Sequence, residues 1–293
     1  MHEINPRLNS EFANQPYIKD VVKIKHSINP GDAVASMAAV KKFWEVTGRK
    51  AMWCQKIGQE AQYYTGAVHP TVDDKTGTNV CMNNRMFEMM KPLMESQAYV
   101  DSVEKYEGQE INLDFDTIRG KTFVNLPHGS IQAWVMYAFP DLAYDLSTPW
   151  IELDDNCPPH ILEQVQGKII VNFTERYRNT LMDYYFLKNY EFDLVFAGTE
   201  REHWLFTSKW NLNIPYLKVD DFLEYAYAIK NSRFILCNQS IGWQIAEAMK
   251  HPRILEICQY AQNCLPFYGE HSYGYFHQVG LEYYVKKLSN IRK

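Results

Sequence analysis

The stretch that decides the fold is Arg233–Cys237 (RFILC), followed by Asn238-Gln239-Ser240 and then Ile241–Met249 (IGWQIAEAM). A continuous apolar run of this length predicts a strand covered on both faces, as in a parallel sheet. The polar tripeptide predicts a tight turn, and the apolar spacing that follows it predicts a helix. The stretch is therefore a strand that leads through a polar turn into a helix.

The same alternation repeats through the C-terminal half. Apolar runs predict further strands at Lys168–Phe173, Asp193–Ala197 and Arg253–Ile257. Helical patterns are found at Asn179–Lys188, Glu200–Trp210, Asp221–Lys230 and Leu281–Lys293. Alternating strands and helices predict an α/β fold with a parallel sheet and right-handed crossovers.

The N-terminal half predicts a second α/β domain. A β-branched run at Asp20–His26 enters an Asn29-Pro30-Gly31 turn, and Asp32 opens a helical pattern that ends at Gly48. Further elements are expected at Ala51–Gln55, Asn83–Met94, Thr122–Leu126 and Ile131–Phe139. The Pro- and Asp-rich stretch from Asp145 to His160 suits a linker, so we expect an N-terminal domain at 1–146 and a C-terminal domain at 147–293.

Bulk properties exclude several classes of protein. The 293 residues are 46% hydrophobic and carry a net charge of −5, which argues against a surface that coats nucleic acid. The sequence contains no apolar run of about 18 residues, and its polar N-terminus lacks the apolar core of a signal peptide. The six cysteines are scattered and are interpreted as free thiols. These features predict a cytoplasmic protein without a transmembrane segment.

Ligands of open parallel sheets bind beyond the carboxyl ends of the strands. This rule selects three loops and predicts that their residues bind a ligand with a diphosphate and a ribose: Thr174, Arg176, Arg178, Gly198, Glu200, Glu202, Asn238, Gln239 and Ser240. A helix N-terminus after Ser240 attracts a diphosphate, arginines bind phosphates through forked donors, and carboxylates bond a ribose. The alternatives are that Ser240 only caps its helix, that the arginines are solvated surface charges, and that Glu200 favours its helix N-terminus.

Two stretches carry a resemblance to a known family. Phe234–Ala248 resembles the donor-site motif of the heptosyltransferase-like enzymes, glycosyltransferase family nine, where a strand ends in Asn-Asp-Ser-Gly before a helix that faces the donor diphosphate. Pro30–Val34, with Met37–Lys41 after it, is similar to that family's opening Gly-Asp turn and helix. This sequence differs from the family at Gln239 and Ile241, which replace Asp and Gly.

The resemblance implies the GT-B fold, with two facing Rossmann-like domains and parallel sheets. It also implies sugar transfer with inversion, without a metal and without a cofactor beyond the nucleotide-sugar co-substrate. Gly31 and Asp32 would lie in the acceptor cleft, with Asp32 as the general base, although Asp32 also suits a helix cap. We expect His128 to line the cleft, with a structural role as the alternative. Asp114-Phe115-Asp116 matches a metal–diphosphate DxD pattern, but a lone DxD is common by chance.

The sequence therefore predicts a glycosyltransferase that moves a sugar from a nucleotide-sugar to an acceptor hydroxyl. A glycan, a small molecule and a hydroxymethylated DNA base are the acceptors that we consider. A non-catalytic nucleotide-sugar or glycan-binding protein and a nucleotide-sugar epimerase on the same architecture are the alternative functions.

Overall fold

A computed structural model of the protein describes residues 21–61, 69, 71–119, 129–261, 263–266 and 269–291. These residues form two compact units. The first holds the described residues of Met1–Ala61 and Thr71–Leu146, and the second holds those of Gln62–Pro70 and Ser147–Lys293. The assignment of an acceptor side to the first half and a donor side to the second stays a prediction.

The first unit is built on a parallel sheet with the strand order β3-β2-β1-β4. Its strands are β1 (Val21–His26), β2 (Lys50–Gln55), β3 (Val100–Lys105) and β4 (Leu113–Asp114). Its helices are α1 (Pro30–Thr47), α2 (Asn84–Glu95) and α3 (Trp134–Ala138). Short 3-10 turns lie at Phe115–Arg119, Ile131–Ala133 and Pro140–Leu142. Gly48 ends α1 with φ +69°, a left-handed conformation that favours glycine, as the sequence predicts.

The second unit is built on a six-stranded parallel sheet with the order β10-β9-β8-β5-β6-β7. The strands are β5 (Ile169–Asn172), β6 (Leu194–Ala197), β7 (Tyr216–Leu217), β8 (Phe234–Cys237), β9 (Arg253–Glu256) and β10 (Ser272–Tyr275). The first strand of the unit is central, and the order reverses between β5 and β8. This is the Rossmann order, 3-2-1-4-5-6, with its switch point between the first and fourth strands.

Helices cover this sheet: α4 (Pro159–Val165), α5 (Glu200–Trp210), α6 (Phe222–Asn231), α7 (Ile241–Met249) and α8 (Gln278–Ser289), with a 3-10 helix at Tyr185–Asp193. Every residue of β5, β6, β8 and β9 is buried. The apolar runs in the sequence are therefore the core strands of a sheet covered on both faces.

The structure differs from the sequence predictions for the second unit at two places. The α-helix expected at Asn179–Lys188 is replaced by a local turn, in which the Asn179 side chain accepts the backbone N–H of Leu181 at 3.1 Å, and by the 3-10 helix that begins at Tyr185. The segment before the last helix, for which the sequence pattern predicts no element, forms strand β10. The Pro- and Asp-rich stretch Asp145–His160 contains the division between the two units, at Leu146 and Ser147. Part of it packs on the second unit, since Trp150 is fully buried and its N–H donates to the carbonyl of Ala248 at 2.9 Å.

Candidate functional site

The loops that follow β5 and β8 meet at the switch point of the second sheet. Asn172 at the end of β5 pairs with Cys237 at the end of β8. The N–H of Asn238 then donates to the carbonyl of Asn172 at 3.3 Å. The strand order reverses here, and open α/β sheets bind their ligands beyond the carboxyl ends of the strands at such a point.

The Asn238 side chain holds the loop that follows β5. The residue is completely buried, and its Oδ1 accepts the N–H of Thr174 at 3.0 Å. Its Nδ2 donates to Thr174 Oγ1 at 3.0 Å and to the carbonyl of Arg176 at 2.6 Å. The Asn238 amide therefore fixes the backbone of the loop, and the predicted contact of this residue with a donor stays a prediction.

A second amide, Asn172, joins three elements at the same edge. Asn172 is 3% exposed; its Nδ2 donates to the carbonyl of Ala197 at 2.6 Å, and its Oδ1 accepts the hydroxyl of Ser240 at 2.6 Å. Ser240 is also the N-cap of α7 and accepts the N–H of Trp243 at 3.5 Å. Our sequence reasoning missed Asn172, although a polar residue that ends an otherwise apolar strand is a usable signal.

The N-terminus of α7 lies at this edge of the sheet. The first N–H groups of a helix have no partner within the helix. Gly242 lies in this first turn, and a Cβ there would be 2.4 Å from Tyr225 Oη and 2.8 Å from Asn172 Oδ1. The helix end can therefore approach the strand ends closely only because residue 242 has no side chain.

Gln239 is turned towards a neighbouring segment. Its Oε1 accepts the N–H groups of Asn263 at 3.1 Å and of Cys264 at 2.9 Å, and its Nε2 donates to the carbonyl of Ala261. The side chain therefore anchors this segment to the strand–helix turn. Its predicted role as a donor ligand stays a prediction.

The two arginines of the loop after β5 have different partners. The Arg178 Nε contacts Glu256 Oε1 at 2.8 Å, and its guanidinium lies over the ring of Phe173, 4.5 Å from the centroid. Burial lowers the pKa of Arg178, but the charge of Glu256 and its hydrogen bond raise it by more, so the guanidinium stays charged. Arg176 is half-buried and contacts His69 Nδ1 through Nη1.

The two carboxylates that follow β6, Glu200 and Glu202, have different environments in the first turn of α5. Glu202 is buried in a capping box, where its Oε2 accepts both the N–H and the hydroxyl of Thr199 at 2.9 Å. Burial raises the pKa of Glu202, even though these hydrogen bonds lower it. Glu200 is exposed at the first position of the helix, and Gly198 is exposed before it. Of the two carboxylates, Glu200 has the more accessible position.

In the first unit, the structure corrects the interpretation of Asp32 as a helix cap. Helix α1 begins at Pro30 with Asn29 as its N-cap, so Gly31 and Asp32 are the second and third residues of the helix. The Asp32 side chain is partly exposed, and its role as a base stays a prediction. His128 and the strand expected at Thr122–Leu126 lie outside the described residues.

The Asp114-Phe115-Asp116 pattern is tied to β1. Lys25 contacts Asp114 at 2.8 Å and Asp116 at 3.0 Å, while Asp116 Oδ1 accepts the N–H of Ser27 at 2.9 Å and its hydroxyl at 2.7 Å. Burial raises the pKa of Asp116, but the bond from Ser27 and the charges of His26 and Lys25 lower it below the usual range. Asp116 therefore fixes the start of the loop that leads to Asp32.

Neither a metal-binding cluster nor a membrane-spanning helix is present in the described ranges. Within these ranges, no group of three or more His, Cys, Asp or Glu side chains is arranged to hold a metal ion. None of the helices in the same ranges has the length and apolar character that crossing a membrane requires.

Comparisons with known proteins identify the fold. No protein-family model matches the sequence, and no curated protein matches it. The E. coli heptosyltransferase WaaC solved with ADP has a TM-score of 0.57 at 10% identity, over 92% of this chain and 99% of that chain. E. coli ADP-heptose lipopolysaccharide heptosyltransferase II has a TM-score of 0.53 at 12% identity, over 92% and 98%. A glycosyltransferase of family nine from Veillonella parvula has a TM-score of 0.53 at 10% identity, over 93% and 90%.

These matches cover both units and nearly the whole of each compared chain. Together with the two parallel sheets, they confirm the predicted α/β fold of the GT-B type. They also confirm the resemblance to family nine at the level of the fold.

Proposed function

We propose that this protein is a glycosyltransferase that moves a sugar from a nucleotide-sugar donor to an acceptor hydroxyl. The observation that carries the proposal is the switch point of the second sheet, where a capped helix N-terminus and a fixed, arginine-bearing loop share one edge. An oriented helix end and a forked cation suit a diphosphate. The GT-B fold and the complexes of E. coli WaaC with ADP and with ADP-2-deoxy-2-fluoro heptose support this ligand class.

The donor is proposed to bind with its diphosphate at the first turn of α7. Arg176 supplies positive charge from the loop after β5, and Glu200 bonds the ribose because its carboxylate is the accessible one after β6. Asn172, Asn238 and Ser240 hold these elements in place through the hydrogen bonds described above.

The reaction follows from these roles. The oxygen of the acceptor hydroxyl attacks the anomeric carbon of the donor while Asp32 takes the proton of that hydroxyl. The bond between the anomeric carbon and the diphosphate breaks. The nucleoside diphosphate leaves with the electron pair, stabilised by Arg176 and the helix end. Attack from the opposite face inverts the anomeric configuration, and no metal is required in this scheme.

A donor screen tests the proposal. The Tm of the purified protein is measured with UDP-, GDP-, ADP- and CMP-sugars. Separate incubations of the native protein with each sugar are analysed by mass spectrometry for release of the nucleoside phosphate. At a ligand concentration of about 100 times Kd, binding to the native state adds about 2.7 kcal/mol of stability, which raises the Tm. A full panel that neither shifts the Tm nor is consumed would refute the proposed function.

A further inference from the structure

Glu256 is a fully buried carboxylate at the carboxyl end of β9. It is 0% exposed, and strand β9 is the neighbour of β8 in the sheet. In the sequence it is one of the two charged residues of the run Arg253–Ile257, and none of the roles proposed above uses it. A buried carboxylate requires compensating partners, so these partners indicate what it does.

Among the described residues, the hydrogen-bond partners of the Glu256 carboxylate are Arg178, Asn179 and Tyr184, which all lie in the segment that follows β5. The Nε of Arg178 donates to Oε1 at 2.8 Å, and Nη2 lies 3.4 Å from Oε2. The backbone N–H of Asn179 donates to Oε1 at 2.7 Å, and the Tyr184 hydroxyl donates to Oε2. The Arg178 guanidinium also lies over the rings of Phe173 and Tyr184.

The loop 174–179 is therefore held at both ends. Asn238 fixes the backbone at Thr174 and Arg176, and Glu256 fixes Arg178 and Asn179. Between these two anchors, Tyr177 has φ +56°, a left-handed conformation that non-glycine residues rarely adopt. Such a conformation persists only where the surroundings impose it, and strained residues of this kind are frequent at ligand sites.

We propose that Glu256 is a positioning residue of the donor site. It holds the loop in the shape that presents Arg176 to the diphosphate, and Arg178 belongs to this anchor instead of contacting the donor. The inference rests on the proposed function, since it assigns the loop to donor binding. It separates two arginines that the sequence alone treats as equivalent phosphate ligands.

The test compares Glu256→Gln with a matched control, Glu247→Gln. Glu247 is also a buried acid of this unit, paired with Arg253 at 2.5 Å, but Arg253 begins β9 whereas Glu256 ends it. Hydrogen exchange of peptides that cover 174–179 reports the loop conformation. Titration calorimetry with UDP, GDP, ADP and CMP reports affinity for whichever nucleotide the wild-type protein binds.

We expect Glu256→Gln to speed amide exchange in 174–179 by at least tenfold and to raise the nucleotide Kd by at least tenfold. Glu247→Gln should lower the Tm while leaving both quantities within about twofold of wild type. Tyr184→Phe removes only the hydroxyl that donates to Glu256, so it tests the anchor if Glu256→Gln fails to fold. We expect about a threefold change in both quantities in this variant.

The outcomes distinguish the two proposals. Unchanged exchange and affinity in Glu256→Gln, or equal losses in Glu247→Gln, would overturn the positioning role. If Glu256→Gln does not fold, unchanged values in Tyr184→Phe overturn it. A wild-type protein that binds none of the nucleotides refutes the proposed function, and the donor role of the anchor with it. In that case, exchange in 174–179 still decides whether Glu256 fixes the loop.

Discussion

Replacing Gly242 with alanine should both destabilise the second unit and weaken nucleotide binding. A Cβ at this position would be 2.4 Å from Tyr225 Oη, 2.8 Å from Asn172 Oδ1 and 3.1 Å from Ile235 Cδ1. The first two distances are too short for any real contact, so atoms must move. Tyr225 is buried and Asn172 is held by two hydrogen bonds of 2.6 Å, so neither side chain can move freely.

Two effects of opposite sign determine how far Gly242→Ala changes the free energy of unfolding. Overpacking a well-packed core costs about 1–3 kcal/mol. Alanine gains at most about 1 kcal/mol over glycine in a helix. Because three atoms must shift, we expect the cost to exceed the gain and the free energy of unfolding to fall by about 1–2 kcal/mol. In a unit of this length, each kcal/mol of lost stability lowers the Tm by about 2–4 °C.

Gly280 provides the matched control. It also lies in a helix, but a Cβ there would be 3.6 Å from Tyr275 Cβ and 3.9 Å from Tyr284 Cε2, which are ordinary contacts. Gly280→Ala should therefore raise the Tm by a few degrees, since the gain in helix propensity of about 1 kcal/mol is unopposed.

Thermal unfolding of both variants and calorimetry with the nucleotide that wild type binds complete the assay. In Gly242→Ala, displacement of Asn172 disrupts its bond to Ser240 and shifts the first turn of α7, so we expect at least a tenfold rise in Kd. A Gly242→Ala variant with a raised Tm and unchanged nucleotide affinity would show that this close approach has no role in the site.

Three further predictions concern charged residues. Asp32→Asn should retain the fold and the nucleotide affinity but lose roughly 100-fold or more in sugar-transfer rate, because asparagine cannot accept a proton; wild-type turnover would remove Asp32 from the reaction. Arg176→Ala should weaken nucleotide binding by about 1.5–3 kcal/mol in calorimetry, the contribution of a charge-assisted hydrogen bond. Arg233→Ala, at the opposite end of β8, should leave nucleotide affinity unchanged. Equal losses of affinity in the two variants would contradict a local role of Arg176 at the diphosphate. Asp116→Asn should destabilise the protein at neutral pH. The pKa of Asp116 is lowered in the folded state, so its contribution is present above the unfolded pKa of about 3.9 and disappears as pH falls through the folded value. Urea unfolding at pH 7, 5 and 3 should show the difference from wild type shrinking below about pH 4, and a constant difference would contradict the pairing with Ser27 and Lys25.

The sequence predicted the elements whose pattern is set by burial. The four apolar runs are β5, β6, β8 and β9, each within one residue of its predicted ends, because a strand covered on both faces is largely apolar. The helices at Glu200–Trp210 and Ile241–Met249 were predicted with their observed bounds, since Thr199 and Ser240 are effective caps.

Edge strands could not be predicted in the same way. β3 lies at the edge of its sheet, and its residues from Val100 to Lys105 are only partly buried, so the apolar signal is interrupted by charges. β10 has the same position in the second sheet and contains Gly274, which favours a loop in sequence terms. Their pairing depends on a neighbouring strand and not on local propensity.

The rule about strand ends selected three loops, and the structure places them after β5, β6 and β8 of the second sheet. Their role in donor binding stays a prediction. The rule could not show that the amides of Asn238 and Gln239 bond to protein backbone, because an amide side chain has the same donors and acceptors for a ligand as for a peptide group. It also overlooked Asn172 and Glu256, since their partners are distant in sequence.

The contact between Thr174 and Asn238 spans 64 residues of sequence, which has a consequence for folding. Strand β5 is made first but sits in the centre of its sheet, so its second neighbour, β8, arrives only after β6, β7 and two helices. Pairings of such sequence separation form late, because the entropy of closing the loop must be lost before the contact compensates for it. A nascent chain that stops before β8 therefore carries both arginines of the loop but cannot hold them in their native arrangement.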